Sequence, residues 1–242
     1  MLHGRQRDLF DLSFSIPSEC ADRLADGRAD IGLIPSIELT RQKLNIIPGA
    51  GIACRGAVRS ILLVSKVPFA DIGTLAVDSS SRTSVMLSRV ILAKEYGVEP
   101  ALLSRSPDLV AMLDAADACL IIGDPALLLD PATLPFHVLD LGAEWMQMTG
   151  LPMVFAVWAA RAALPIQNPA PFLDSLRFGM SRIHEIADGE YQARSISRQL
   201  ARDYLTRNIV FELKEPEYEG LSLFLRLAGE LQNQTDLRTV TA

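Results

Sequence analysis

The chain has 242 residues, of which 49% are apolar and 21% charged, as in a globular protein with room for two modest domains or one large one. The formal net charge of −6 argues against a nucleic-acid partner, whose phosphates require a basic surface. No segment reaches the roughly 18 unbroken apolar residues of a membrane span, and MLHGRQRDLF lacks the apolar core of an export signal, so we expect neither membrane insertion nor export.

In the first half of the sequence, short strands and helices are predicted in alternation. Ser18 can cap a helix that extends to about Gly27, and Pro35 ends the buried strand that follows. Gly97 is placed to stop a later helix, because glycine adopts the left-handed conformation found just beyond helix ends. The predicted strands are 29–35, 45–54, 58–65, 75–77 and 101–106, and the predicted helices are 18–27, 37–43 and 84–97.

The second half continues this alternation and then changes character. A helix over 107–117 is followed by strands at 118–123, 137–141 and 153–160. Beyond them we predict three helices, at 171–189, 191–205 and 217–232, with no strand between them.

The alternation predicts an α/β protein with mostly parallel sheets, whose crossover helices cover the faces. Segments 29–36 and 116–123 share a pattern: each begins with Ala-Asp, continues as a predicted strand and ends in a polar turn. The repetition reflects either two similar lobes or a chance match. The apolar strands 58–65 and 153–160 are suited to be the two hinge crossings. We predict a first lobe from 1–70 and 155–242, a second lobe from 71–154, and a ligand cleft between them.

The stretch VDSSSRTSV, at 77–85, follows a predicted strand and carries five hydroxyl groups and one guanidinium. It can simply start a helix, or it can bind an anion through hydroxyl groups, helix N–H groups and Arg82. One hydroxyl group is enough for a cap. The surplus favours anion binding.

Two other turns have both a structural and a ligand-binding interpretation. Ser36 and Glu38 occupy the matching turn of the first lobe, where capping and a favourable helix dipole explain them more simply. Arg59 and Ser60 precede the hinge strand, and they point either into the cleft or into solvent.

Asp124 and Trp158 are also ambiguous. Asp124 can cap the short helix that begins near Pro125, or it can act as a catalytic carboxylate. Trp158 can line a ligand wall, although an aromatic residue in such a strand usually belongs to the core.

The remaining reactive residues indicate chemistry without a metal or cofactor. The three cysteines lack metal-ligand spacing and are expected to be buried thiols, and the three histidines lack partners at catalytic or metal-ligand spacing. There is no glycine-rich phosphate loop. The residues concerned are Cys20, Cys54, Cys119, His3, His137 and His184.

Several segments closely resemble the chorismate dehydratases of the futalosine route to menaquinone. They are ADIGLIPSIEL, GAVRSILLVSKVP, AVDSSSRTSVMLSRVIL, ADACLIIGDPAL and LGAEWMQMTGLPMVFAVWAAR, and the likeness spans about residues 17–161. The resemblance implies a two-lobed fold like the periplasmic binding proteins of the second type, with mixed, mostly parallel sheets, a hinge and an interlobe cleft. It also implies a cytoplasmic, cofactor-free lyase that removes water from chorismate to give 3-(1-carboxyvinyloxy)benzoate.

A dicarboxylate such as chorismate suits a cleft lined by hydroxyl groups and helix N-termini. We expect Ser80, Ser81, Arg82 and Thr83 to bind one carboxylate. The facing turns, at Ser36 and at Arg59 and Ser60, would hold the other end of the substrate, with Trp158 alongside. The base is either a substrate carboxylate or Asp124.

In one respect the sequence departs from this family pattern. The family begins with a strand and a Tyr-Leu-Asn type turn, whereas MLHGRQRDLFDLSFSIPSE resembles the region just after that turn. We therefore expect the first strand to be missing, which leaves an exposed sheet edge and permits oligomerisation. If catalysis requires the missing turn, this chain is inactive.

Two alternative functions remain at this stage. One is a small-carboxylate-binding module without catalysis, either a solute receptor or the effector domain of a regulator. The other is the sister enzyme of the same pathway that acts on cyclic dehypoxanthinyl futalosine. A resemblance to that enzyme would imply a histidine in the site, and neither His137 nor His184 lies in a suitable turn.

Overall fold

The computed structural model describes residues 1, 3, 4, 6, 8–164 and 168–240, with side chains described up to residue 233. The strands are β1 Ile31–Pro35, β2 Leu44–Cys54, β3 Ile61–Ser65, β4 Thr74–Val77, β5 Ala101–Ser104, β6 Ala118–Ile122, β7 His137–Asp140, β8 Met153–Arg161 and β9 Val210–Glu212. The α-helices are α1 Pro17–Ala25, α2 Arg82–Glu95, α3 Leu109–Ala115, α4 Asp124–Leu127, α5 Leu141–Thr149, α6 Ala170–Ser181, α7 Ile183–Glu190, α8 Arg198–Asp203 and α9 Glu215–Val240. In these ranges no helix combines the length and the apolar character that crossing a bilayer requires.

The first sheet is antiparallel throughout. Its strand order is β1-β8-β2-β9, so β8 and β2 are central while β1 and β9 form the edges. The chain leaves this sheet at the end of β2 and enters it again along β8. β1 ends at Pro35, as predicted, and a short 3₁₀ helix, Ser36–Thr40, follows at once.

The second sheet is mixed. Its order is β5-β4-β6-β3-β7, and β4 pairs in parallel with β5 and β6, whereas β3 pairs antiparallel with β6 and β7. The parallel pairing expected from the alternating pattern is therefore confined to β4 and its neighbours. β3 arrives directly from β2 through residues 55–60 and not from a crossover helix, so nothing requires it to run parallel to them.

A continuous apolar core joins the two sheets. All five residues of β3 are buried, and α2 contributes Leu87, Val90 and Ile91 on the face that covers the second sheet. Helix α9 packs into the same core, where Phe224 meets Trp145 of α5 edge-on with ring centroids 6.0 Å apart. The elements that position the polar turns thus share one apolar core.

Some sequence predictions were wrong in detail. Ser18 lies inside α1, where Ile16 is the N-cap residue and no side-chain cap is present. Helix α5 and the edge strand β9 were not predicted. β9 has only three residues, so alternation along the chain gives almost no signal for it.

Other details agree with the sequence or bear on the proposed lobes. Gly97, with φ +70°, follows the end of α2 as predicted.

Sheet membership groups β3 with the second sheet, whereas the boundary inferred from the sequence places residues 61–65 in the first lobe. The division into lobes remains a proposal, and sheet pairing would set its first boundary near residue 60.

Candidate functional site

The turn after β1 meets the turn after β4 through buried hydroxyl groups. Ser36 Oγ donates to the carbonyl oxygen of Val154 at 2.7 Å, and the amide of Ile37 donates to Thr83 Oγ1 at 3.3 Å. The two hydroxyl oxygens of Ser36 and Thr83 lie 3.5 Å apart. We call this contact the β1–β4 junction and define it as Ser36, Ile37, Glu38, Arg82 and Thr83. It brings together predicted site residues from the two turns that the sequence pairs.

The Thr83 hydroxyl group of this junction has no close acceptor for its proton among the described residues. Ser36 uses its proton on Val154, and Thr83 accepts from Ile37, so the Thr83 proton has only the distant Ser36 oxygen as an acceptor among the described residues. Ser84 accepts from Ser81 at 2.9 Å. Because 3.5 Å is long for an O–H···O hydrogen bond, the Thr83 hydroxyl, only 3% exposed, suits a ligand that offers a closer acceptor oxygen.

Arg82 is fully engaged with carboxylates of the chain. Its guanidinium donates to both oxygens of Asp22 at 3.0 Å and to Glu38 Oε1 at 3.0 Å. Burial lowers the pKa of Arg82, but its bonds to Glu38 and Asp22 outweigh that effect and raise the pKa above the ordinary value. The structure thus places Arg82 as a tie between α2 and the elements around β1.

The other residues of VDSSSRTSV form a closed turn. Ser80 donates through its amide to Asp78 Oδ1 at 2.9 Å and through Oγ to Asp78 Oδ2 at 2.7 Å. Ser81 is the N-cap residue of α2, yet its side chain caps no backbone N–H and instead donates to Ser84. The prediction that one hydroxyl group of this stretch caps the helix was therefore wrong.

Arg59 is held in a strained backbone conformation, with φ +68°. Its amide and that of Val58 donate to the two carboxylate oxygens of Asp140, at 2.6 and 2.9 Å. Its guanidinium donates to the carbonyl oxygens of Ala126 and Leu129. The Arg59 side chain therefore braces the loop after α4.

Ser60 is the centre of a second polar cluster. Its carbonyl oxygen accepts from the amide of Gly123 at 2.8 Å, and its Oγ accepts from the hydroxyl of Tyr204 at 3.0 Å. Beside it, Asp124 pairs with Arg194 at 2.7 Å, and both charges act on the Tyr204 hydroxyl. We call these five residues the Ser60 cluster.

Asp124 is not the N-cap residue of α4 that the sequence predicts. Gly123, with φ +74°, is the N-cap residue of α4, and Asp124 is its first residue. The predicted cap was therefore wrong, and the carboxylate is used in the ion pair with Arg194.

Trp158 packs within the first sheet. Its ring lies 5.2 Å from that of Phe172 of α6, measured between centroids, and its backbone is paired with Leu33. Trp158 is only partly buried, so it packs against α6 outside the fully buried core that its place in an apolar strand favours.

Sequence reasoning missed Tyr204, Arg194 and Asp78 as members of these clusters. Tyr204 and Arg194 lie in a segment that the sequence predicts only as helix. Asp78 does carry a local signal, since Asp followed by Ser two residues later is typical of an Asx turn.

The buried cysteines are unreactive. Cys54 and Cys119 are fully buried, and desolvation raises the pKa of each to about 12, so both remain neutral thiols near pH 7. Cys20 is half-buried, and burial is also the main reason that its pKa is raised. Among the described residues, no three His, Cys, Asp or Glu side chains converge as a metal site would require.

Solved structures show the fold of this chain. A protein from Archaeoglobus fulgidus superimposes with a TM-score of 0.68 at 19% identity, covering 89% of this chain and 84% of that one. The periplasmic aliphatic sulphonate binding protein SsuA from Escherichia coli superimposes with a TM-score of 0.59 at 16% identity, covering 93% and 76%. The binding-protein-like α/β fold predicted from the sequence is confirmed.

Sequence comparisons show the family. Residues 2–230 match the family model described as menaquinone biosynthesis. A Thermus thermophilus protein named chorismate dehydratase is 30% identical over 94% of this chain and 90% of its own length. A second protein of that name, from Campylobacter jejuni, is 27% identical over 89% of this chain and 82% of its own. This protein therefore belongs to the menaquinone biosynthesis family, as the resemblance in its sequence predicts.

Proposed function

We propose that this protein is a chorismate dehydratase that converts chorismate to 3-(1-carboxyvinyloxy)benzoate in menaquinone biosynthesis. The observation that carries the proposal is the near full-length similarity to two proteins of that name. The buried hydroxyl groups of the β1–β4 junction and the Ser60 cluster support it, because they offer donors to a ligand rich in acceptor oxygens. As an enzyme of a biosynthetic route it would act in the cytoplasm.

The reaction makes modest demands on the protein. A base removes the proton from the ring carbon next to the hydroxyl-bearing carbon, the C–H electrons complete an aromatic ring, and the hydroxyl leaves with the C–O electrons. The leaving hydroxide and one proton make the water that is released. Positioning, a proton acceptor and donors for the developing charge are sufficient, and aromaticity favours the forward direction.

We assign substrate contact to residues whose hydrogens are available. Thr83 would donate to one carboxylate of chorismate and Ser60 to the other end of the molecule, with Ser36 holding the junction in place. Since Ser36, Thr83 and Ser60 are all at most 5% exposed, the proposal requires the turns around these residues to open before substrate enters.

Ser80, Ser81 and Arg82 have partners within the chain, so we give them the supporting role of fixing the shape of the turn. Arg59 supports the loop after α4 in the same way, and Trp158 supports the first sheet.

Two groups are candidates for the base, namely a carboxylate of the substrate and Asp124. Asp124 has to leave Arg194, 2.7 Å away, in order to accept a ring proton freely. The Asp124→Asn variant separates the two: loss of turnover identifies Asp124, and near-normal turnover identifies the substrate carboxylate.

The direct test is to incubate the purified protein with chorismate and to follow formation of the enolpyruvyl benzoate by chromatography. We expect turnover without added metal or cofactor. Tight binding of chorismate with no product would instead favour a receptor and would overturn the proposal.

The hydroxyl assignment is tested by Thr83→Ala, with Ser88→Ala as its control. Ser88 lies on the same helix and is also fully buried, but its proton is used by the carbonyl oxygen of Val85 at 2.8 Å. A hydrogen bond to a charged group contributes about 1.5–3 kcal/mol, so Thr83→Ala should lower kcat/KM by about 10- to 150-fold. Equal kinetics for the two variants would contradict substrate contact by Thr83.

A further inference from the structure

The hydroxyl pair of Tyr204 and Ser60 joins two segments that are remote in sequence. The residues are 144 positions apart, and their oxygens lie 3.0 Å from each other. Ser60 is 5% exposed, and Tyr204 packs against the core that joins the sheets. This pair therefore forms only when the turn before β3 and the segment after α8 are assembled.

Both partners lie in irregular backbone that other contacts hold in place. Ser60 follows Arg59 with its positive φ, and Tyr204 begins a π-helical turn, Tyr204–Asn208. The side-chain amide of Asn208 donates to the carbonyl oxygen of Ala57 at 2.8 Å. The π-helical turn is thus attached at both of its ends to residues 57–60, which fixes the distance between the two hydroxyl groups.

The direction of the hydrogen bond leaves one proton unused. Tyr204 donates and Ser60 Oγ accepts, so the proton of Ser60 points elsewhere, and no described residue accepts it. Desolvation raises the pKa of Tyr204, which keeps the phenol protonated and able to donate at neutral pH. A ligand carboxylate, which can only accept, would satisfy the remaining Ser60 proton.

We propose that Tyr204 is a positioning residue that orients the Ser60 hydroxyl to donate to a substrate carboxylate. The inference rests on the proposed function and names the residue that prepares one end of its site. Removing the Tyr204 hydroxyl would free Ser60 to rotate and to spend its proton on another acceptor, while the ring would continue to fill its place in the core.

The test is a double-mutant cycle with Tyr204→Phe, Ser60→Ala and the combined variant. We expect KM for chorismate to rise about tenfold for Ser60→Ala and about fivefold for Tyr204→Phe, with kcat little changed in both. The combined variant should resemble Ser60→Ala alone, because Tyr204 acts only through Ser60. Independent effects that multiply in the combined variant would overturn the inference.

A control and a binding measurement separate positioning from general damage. Tyr191→Phe removes another hydroxyl from the same region, one that accepts from the Gln192 amide at 3.0 Å, and it should leave KM unchanged. The affinity for 3-(1-carboxyvinyloxy)benzoate, measured by calorimetry, should weaken in parallel with KM for Tyr204→Phe. A loss of thermal stability with unchanged KM and product affinity would show a purely structural role and refute the inference.

The outcomes for the two proposals are distinct. Wild-type protein that neither dehydrates chorismate nor binds the product would overturn both the proposed function and this inference. Wild-type protein with normal turnover, combined with a Tyr204→Phe variant of unchanged KM, would overturn the inference alone.

Discussion

Replacing Arg82 with glutamine tests whether this guanidinium ties the two sheets together or binds substrate. The residue bridges Asp22 of α1 and Glu38, and it reaches them from the first turn of α2. Glutamine keeps much of the length of the side chain but removes its charge. The substitution leaves the Glu38 carboxylate, only 2% exposed, with Arg41 at 3.4 Å and Gln42 at 3.2 Å as its remaining partners.

The expected cost follows from the exposure of each partner. Asp22 is 52% exposed, and an exposed ion pair contributes about 0–1 kcal/mol. Loss of one partner from a fully buried pair costs about 3–5 kcal/mol. Arg82 itself is 26% exposed and Glu38 keeps two weaker partners, so we expect about 2–3 kcal/mol for Arg82→Gln. For a chain of this size that corresponds to a fall in Tm of about 4–12 °C.

The assay is thermal and urea unfolding of wild-type protein, Arg82→Gln, Asp22→Asn and the combined variant Arg82→Gln/Glu38→Gln. Asp22→Asn should cost less than about 1 kcal/mol, and the combined variant should regain part of the loss because no uncompensated carboxylate stays buried. Equal destabilisation by Arg82→Gln and Asp22→Asn would refute this reasoning. A Tm within about 1 °C of wild type together with a KM raised by about tenfold or more would show that Arg82 binds substrate.

Two further predictions concern the stability of the fold. A methyl group at Gly220 would lie 2.0 Å from the carbonyl oxygen of Pro152, so Gly220→Ala should destabilise the protein by about 1–3 kcal/mol in urea unfolding. Gly229→Ala, on the same helix and with no atom near the added carbon, should be neutral or stabilising by up to about 1 kcal/mol; similar losses in both variants would contradict the clash. Hydrogen bonds, first from the side chain and then from the amide of Thr74, lower the pKa of Asp117, so Asp117→Ala should cost about 1 kcal/mol at pH 7. Because this carboxyl has a lowered pKa, its contribution is complete above the unfolded pKa of about 4 and is lost as pH falls through the folded value. The difference between wild type and variant should therefore shrink between pH 4 and pH 2, and a constant difference would contradict the assignment.

The sequence was sufficient where the signal is local. The strands β3, β6 and β8 are short, nearly continuous apolar runs, and α2 is a longer helical stretch that Gly97 ends, so each is indicated without reference to other segments. The motif segments also identified the family, whose model matches residues 2–230. Helix N-caps were predicted poorly. A serine at a helix N-terminus can hydrogen-bond to several neighbouring groups besides the backbone N–H groups of the helix. The Ser81 hydroxyl donates to Ser84 Oγ and does not cap the helix.

Only the tertiary structure decided how the polar turns are used. The sequence pairs Ser36 with the stretch around Thr83, and the fold brings their oxygens to 3.5 Å across 47 positions. The fold also pairs the Arg82 guanidinium with the Glu38 carboxylate, and it places the Tyr204 hydroxyl within hydrogen-bond distance of Ser60 Oγ. These partners are set by sheet order and by helices packed from distant parts of the chain, so no local pattern predicts which hydroxyl keeps a proton for the ligand.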